Sequence, residues 1–213
     1  MDVNPELTRW NSRFSASGYL FGTAPNAFLA SQADRLKAAK TQGGMSALSI
    51  ADGEGRNGVW LAQQGLQVTA FDFSPVGVDK ARRLAQERGV SQRYATRVAE
   101  LSSWDWDAAQ YDVIAAIFIQ FATPAERAHM FAGICRALKP GGLLLMQGYG
   151  LGQLAYGTGG PKVPEQLYTA DLLKQAFASL EILELREHDT AIDEGEGHGG
   201  MSALIDLVAR RPG

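Results

Sequence analysis

Apolar positions along this chain alternate between short unbroken runs and stretches of helical spacing. The runs Ala47–Ala51, Leu66–Phe71, Tyr111–Ile119 and Leu143–Met146 predict strands, and the more polar Gln92–Val98 reads as the third strand in chain order. Tyr111–Ile119 is almost continuously apolar, as expected of a strand buried on both faces of a parallel sheet. Between the runs, hydroxyl and proline residues announce helices. Ser74-Pro75 starts one as N-cap and first-turn residue, and Gly89 ends it. Pro124 opens a second, with Phe131, Ile134, Cys135 and Leu138 on its inner face. Thr169 caps a third, with Leu173, Ala176, Phe177 and Leu180 facing inward. Upstream, Thr23-Ala24-Pro25 reads as a helix start, Leu29, Ala33 and Leu36 follow at helical spacing, and Gly43-Gly44 ends the element. Lys139-Pro140-Gly141-Gly142 reads as a turn, and Gly148 to Pro164 as an irregular, glycine-rich stretch. The last two strand-like runs, Leu180–His188 and Met201–Ala209, have no helix between them. They are expected to pair antiparallel, because a parallel pair needs a long crossover.

This order predicts an α/β protein: a doubly wound, Rossmann-like sheet of seven strands, mostly parallel, with an antiparallel C-terminal strand. With 213 residues the chain suits one domain, an N-terminal helical segment over residues 1–45 and a core over 46–213. A net charge of −3 without a lysine or arginine cluster disfavours a nucleic-acid partner. The longest apolar run is too short to span a bilayer, and no secretory signal is visible at the N-terminus. With Cys135 as the single cysteine, a cytoplasmic protein is expected. His129, His188 and His198 show no ligand spacing, so no metal is expected.

The chemistry concentrates in Gly53-Glu54-Gly55-Arg56-Asn57-Gly58, between the first strand and a helix beginning near Arg56. Glycines there let the main chain approach a ligand closely, and the helix aims its positive end at it. The next run ends on Asp72, a carboxylate placed to accept hydrogen bonds from a ribose diol. The alternative for Asp72 is a solvated strand-end carboxylate or a cap for the helix at Ser74. Glu100, after the third run, is either a contact to the amino group of adenine, with Leu101 packed on the ring, or an exposed loop carboxylate.

Taken together, the chain resembles the class I S-adenosylmethionine-dependent methyltransferases. Ala47–Gly55 matches their first motif, Asp72 the acidic residue of the second, Glu100 the adenine contact, Tyr111–Ile119 the fourth, and Leu138–Gly142 the LKPGG segment. The run GEGRNGVWLA, with Trp10-Asn11 and Gly22-Thr23-Ala24-Pro25-Asn26 upstream, further resembles the tellurite-resistance and thiopurine/thiol methyltransferase-like subgroup. Two positions depart from the pattern: Ser49 stands where many members carry an acid, and Ala51 where they carry a glycine. Asp52 and Glu54 are the nearby carboxylates that would serve the methionine amine instead.

The resemblance implies S-adenosyl-L-methionine as cofactor, held by Asp52, Gly53, Gly55, Arg56, Asn57, Asp72, Phe73, Ser74, Glu100, Leu101 and Ile117. It implies a small-molecule methyl acceptor with a soft S, Se or Te nucleophile. The outer segments would recognise it. Trp10, Arg13, Phe14, Tyr19 and Phe21 form an aromatic lid or, alternatively, an amphipathic cover for the sheet. Gln120 is the polar candidate facing the methyl-transfer centre, beside Phe121, with Tyr19 and Arg13 as its partners in the lid. Tyr149, Tyr156 and Tyr168 flank the glycine-rich loop as a substrate wall. Two other readings compete: a nicotinamide-dependent reductase, opposed by the long N-terminal segment, Glu100, LKPGG and the terminal strand pair, and a non-catalytic S-adenosylmethionine sensor.

Overall fold

The computed structural model describes residues 4–39, 45–106, 111–195 and 199–213. The Gly43-Gly44 stop and His198 lie outside the described residues. By internal contacts the chain divides into two compact units, Met1–Ser103 with Glu194–Gly197, and Trp104–Asp193 with His198–Gly213.

The first unit opens with α1 (Pro5–Phe14), capped by the Asn4 side chain, and continues with α2 (Ala27–Ser31) and α3 (Ala33–Ala38). The expected start at Pro25 moves to Asn26, whose side chain accepts the Leu29 N–H at 3.0 Å. Proline only precedes that cap, because an oxygen bonded to the third helical N–H defines the start better than a missing donor does. The one expected helix is two, since Gln32 leaves helical geometry at φ −85°, ψ 4°. Leu29 and Leu36 nonetheless point inward as their spacing requires. Three parallel strands follow with two helices: β1 (Ser46–Ile50), α4 (Arg56–Gln63), β2 (Gln67–Asp72), α5 (Pro75–Glu87) and β3 (Tyr94–Val98). Ser74 caps α5 as expected, accepting from the Gly77 N–H.

The second unit holds β4 (Tyr111–Ile117), α6 (Pro124–Ala137), β5 (Leu138–Tyr149), α7 (Gln153–Tyr156), α8 (Ala170–Ala176), β6 (Glu181–Asp193) and β7 (Gly199–Arg210). α6 begins with a reciprocal capping box, Thr123 and Glu126. β4 stops two residues short of expectation because Phe118 takes a left-handed backbone, φ 55°. The LKPGG turn belongs to β5 as an excursion: Tyr111 pairs Leu138, and the next pair is Val113 with Leu143. The extruded glycines are still held, Gly141 donating to the Arg211 carbonyl and Gly142 accepting from the Arg211 N–H. The irregular stretch after β5 is also more ordered than expected, since it contains α7. Cys135, expected in the core, is half-buried. β7 runs antiparallel to both β5 and β6. Strand order is β3-β2-β1-β4-β5-β7-β6, a seven-stranded, mostly parallel sheet with one antiparallel strand near the C-terminus. Among the described residues no helix is long and apolar enough to cross a membrane.

The departure at Ala51 has a visible cost. Its φ of 48° lies where glycine is at ease and other residues are strained. Ala51→Gly is therefore expected to raise stability by up to about 1 kcal/mol, and Ala51→Val to lower it by about 2 kcal/mol. Urea unfolding checks both; a glycine variant less stable than the parent would show that no strain is stored there.

Candidate functional site

The glycine turn is built around two buried carboxylates. Asp52 accepts the Ser49 hydroxyl at 2.6 Å, the Gly58 N–H at 2.9 Å and the Tyr94 hydroxyl at 2.6 Å. Gly58 is the third residue of α4, so Asp52 caps that helix from below the turn. Ser49, the residue standing in for the usual acid, is thus a donor to the acid three positions on. Burial pushes the Asp52 carboxyl above its ordinary range, against its three hydrogen bonds, and burial beside Asp52 drives the Tyr94 hydroxyl well above 10.

Asp72, at the end of β2, accepts the Gly53 N–H at 2.9 Å on one oxygen and the Ser74 N–H at 2.9 Å on the other. A carboxylate has about four acceptor positions, and the capacity left beyond the backbone N–H groups of Gly53, Ser74 and Phe73 is what a vicinal diol would draw on. The cap and the diol readings of this residue are therefore compatible. Its carboxyl is raised to about 6, chiefly by burial and further by the Asp52 charge, with the backbone N–H groups of Ser74, Gly53 and Phe73 opposing. Ser74 is fully buried and donates its hydroxyl to Asn11 of α1 at 2.6 Å.

The two turn glycines differ in their surroundings. A side chain on Gly53 would meet the Phe14 ring at 3.3 Å, so α1 lies against the turn there. A side chain on Gly55 would meet Ala81 of α5 at 2.8 Å, which makes Gly55 a close-packing glycine between helices. Phe14 stacks on Trp10 and Phe21, and the Arg13 guanidinium sits 4.6 Å from the Trp10 ring centre. Trp10, Phe14 and Phe21 thus gather as one cluster on the turn, while Tyr19 lies beside the Lys80 ammonium, which is 5.7 Å from its ring centre. Burial, then Arg9, lowers the Arg13 pKa; burial, then Glu87 and Glu54, raises that of Tyr19.

Several polar side chains assigned to ligand contacts have protein partners. Arg56 pairs with Glu194 at 2.7 Å in a buried ion pair, and the Asn57 amide oxygen accepts the Asn26 N–H at 2.9 Å. Glu54 accepts the Leu20 N–H at 2.7 Å and pairs with Lys80 at 2.8 Å. Neither Asp52 nor Glu54 therefore presents an unengaged carboxylate for a methionine amine. Phe73 and Leu101 are half-buried, Glu100 is exposed, and its carboxylate accepts the Ser102 hydroxyl at 3.5 Å.

In the second unit, Ile117 ends β4 as a buried residue. Gln120 is buried too, and its amide is spent on backbone: Nε2 donates to the Tyr149 and Gln166 carbonyls at 2.8 and 3.0 Å, and Oε1 accepts the Tyr149 N–H. Both amide protons are used, so Gln120 acts here as a clamp between chain segments. Of the substrate-wall tyrosines, Tyr149 and Tyr168 are core residues, while Tyr156 is exposed and donates to Asp189. Phe118 stacks on Tyr149 at 4.8 Å, in a cluster with Leu167 and Leu204.

Asn11, Asn26, Lys80, Tyr94 and Glu194 also organise the turn; the sequence patterns include Asn11 and Asn26 only as parts of the subgroup resemblance and give none of the five a role in the site. Asn26 carried a signal, as a good capping residue after Pro25. Lys80, an ordinary surface-type residue within a helix, carried none.

Residues 47–142 match the family model described as a methyltransferase domain. No curated protein matches the sequence. Among solved structures, one from work on "Conversion of a Disulfide Bond into a Thioacetal Group during Echinomycin Biosynthesis" is 20% identical, with a TM-score of 0.74 over 97% of this chain and 89% of its own. The N-methyltransferase NodS from Bradyrhizobium japonicum WM9, in complex with S-adenosyl-L-homocysteine, is 12% identical, with a TM-score of 0.72 over 99% and 100%. TehB from Haemophilus influenzae is 18% identical, with a TM-score of 0.65 over 84% and 61%. At these identities the likeness is one of fold.

Proposed function

We propose that this chain is a methyltransferase using S-adenosylmethionine, and that its methyl acceptor is a small molecule reacting through a soft S, Se or Te nucleophile. One observation carries the reading. The carboxylates around the turn, Asp52 and Glu54, and the Gln120 amide after β4 are committed to other protein groups. Among the described residues the cover on the turn is aromatic: Trp10, Phe14 and Phe21. An anionic soft nucleophile needs no general base, whereas a hydroxyl does. Among the solved structures of like fold, one comes from work on converting a disulfide bond into a thioacetal group, a change at sulfur.

The cofactor supplies an activated methyl group on a sulfonium, so the protein's work is alignment and exclusion of water. Asp72 would take the ribose diol, with Gly53 close by and Phe73 and Leu101 as apolar neighbours for the adenine; Glu100 would meet its amino group from the exposed side. Ser74 holds the Asp72 carboxylate in place through its N–H. Ile117 is proposed as a further apolar contact. Arg13, held over Trp10, is the cation for an anionic acceptor, with Tyr19 in the same segment. Gln120 serves the reaction by holding the chain after β5, and its assignment as a group facing the acceptor gives way to that role.

Purified protein, offered S-adenosylmethionine with a thiol, selenite, tellurite or a phenol, is expected to form S-adenosylhomocysteine with the soft acceptors at least about 100-fold faster than with the phenol, the scale of a missing general base. Rates across thiols should follow their thiolate fraction. Faster methylation of the phenol would overturn the reading. Binding of S-adenosylhomocysteine without turnover of any acceptor would favour the sensor.

A further inference from the structure

Two ion pairs rooted in the glycine turn grip the segment between α1 and α2 from either end. At its start, the Lys80 ammonium donates to the Ala16 carbonyl at 2.9 Å, the Gly18 carbonyl at 2.6 Å and Glu54 at 2.8 Å. An ammonium has three protons, and all three are placed. Glu54 completes this latch through its other oxygen, on the Leu20 N–H. At the far end, Glu194 accepts the Asn26 side-chain amide at 2.9 Å and the Ala27 N–H at 3.1 Å on one oxygen, and Arg56 at 2.7 Å on the other. Both pairs are shielded from solvent, with side-chain exposures of 15% and 3% for Lys80 and Glu54, and 8% and 9% for Arg56 and Glu194.

Between the latches lie Tyr19, Leu20 and Phe21, bracketed by Gly18 and Gly22 at φ 79° and 69° with open space around both. Glycines that absorb backbone rotation at both ends of a short segment are what a hinged strap requires. α1 itself stays anchored independently, by Phe14 against Gly53 and by Asn11 on Ser74. The strap can therefore lift, parting Phe21 from Trp10 and Phe14, while Phe14 and Asn11 keep α1 on the turn. Both members of each ion pair lie outside the segment and hold it through the groups they turn toward it: the Lys80 ammonium on the Ala16 and Gly18 carbonyls, Glu54 on the Leu20 N–H, and Glu194 on Asn26 and the Ala27 N–H.

On the reading that this turn holds S-adenosylmethionine, we infer that Lys80 and Glu194 are positioning residues. Through Glu54 and Arg56 they close the segment Ala16–Ala27 onto the cofactor turn and set the rate at which the spent cofactor leaves.

The test is release of labelled S-adenosylhomocysteine into excess unlabelled compound, from the full chain and from Lys80→Met and Glu194→Gln. Each substitution is expected to speed release about tenfold, and the double variant about 100-fold, since separate contacts add. A purely structural role would lower the melting temperature of the free protein and leave the release rate within twofold of the parent, which overturns the proposal. Should Lys80→Met fail to fold, the isosteric Glu194→Gln decides alone. Failure of the unaltered protein to retain S-adenosylhomocysteine overturns the cofactor assignment together with the strap; retention with unchanged rates overturns the strap alone.

Discussion

Asp72→Ala is expected to weaken S-adenosylhomocysteine binding by about two to four orders of magnitude, because a hydrogen bond to a charged group contributes about 1.5–3 kcal/mol and a diol makes two. Titration calorimetry on the folded protein measures this. Alanine also strands the Gly53 and Ser74 N–H groups, so Asp72→Asn, which keeps an acceptor, separates folding from binding. Unchanged affinity in both variants would remove Asp72 from the site.

The pH dependence follows from the same carboxyl. In the free protein its pKa stands at about 6, above the ordinary 3.8, with burial as the main cause. A raised carboxyl means that the folded state holds its proton more tightly than the unfolded chain. This group's contribution to stability is therefore largest below 3.8 and declines as pH rises through 6, by at most about 3 kcal/mol. Binding runs the other way, because diol hydroxyls donate to the ionised form. Affinity for S-adenosylhomocysteine should be level above pH 7 and fall up to tenfold per unit below 6. Calorimetry between pH 5 and 8 reads the effect, and a flat profile would sink it. Asp52 adds to the upward shift, so Asp52→Asn should move the break to lower pH.

The second large effect concerns folding. Asp52→Ala removes the common acceptor of Ser49, Gly58 and Tyr94. Each stranded buried donor costs about 1–3 kcal/mol, and part is returned because the Asp52 charge no longer has to be desolvated, leaving a loss of about 3 kcal/mol. The same contact explains the glycine at position 58, since a Cβ there would meet an Asp52 carboxylate oxygen at 2.4 Å. Urea unfolding should show this loss, a smaller one for Asp52→Asn, and a Tyr94→Phe effect that largely disappears in the Asp52→Ala background. A loss below 1 kcal/mol would mean that the network does not support the turn.

These residues also mark where sequence reasoning reached its limit. The strands themselves, the caps at Ser74 and Thr169, the helix start at Pro124 and the antiparallel closing pair were legible because their signals are local. Apolar runs, hydroxyl-proline pairs and loop length act over a few residues. Asp72 was legible because spacing along alternating elements placed it at a strand end. The positive φ of Ala51 was foreshadowed only as a departure from a glycine.

The sequence by itself determined the order of elements, the glycine turn and Asp72, because backbone propensity and hydrophobic period are properties of neighbours. Tertiary structure alone decided what the polar side chains do. Arg56 meets a carboxylate 138 residues away, Gln120 clamps a backbone 29 residues on, and Glu54 joins Lys80, 26 residues on. A polar residue near a strand end has the same local sequence whether it faces a ligand or another part of the fold. Burial settles the difference, since a charge removed from water must find its partner wherever the chain brings one.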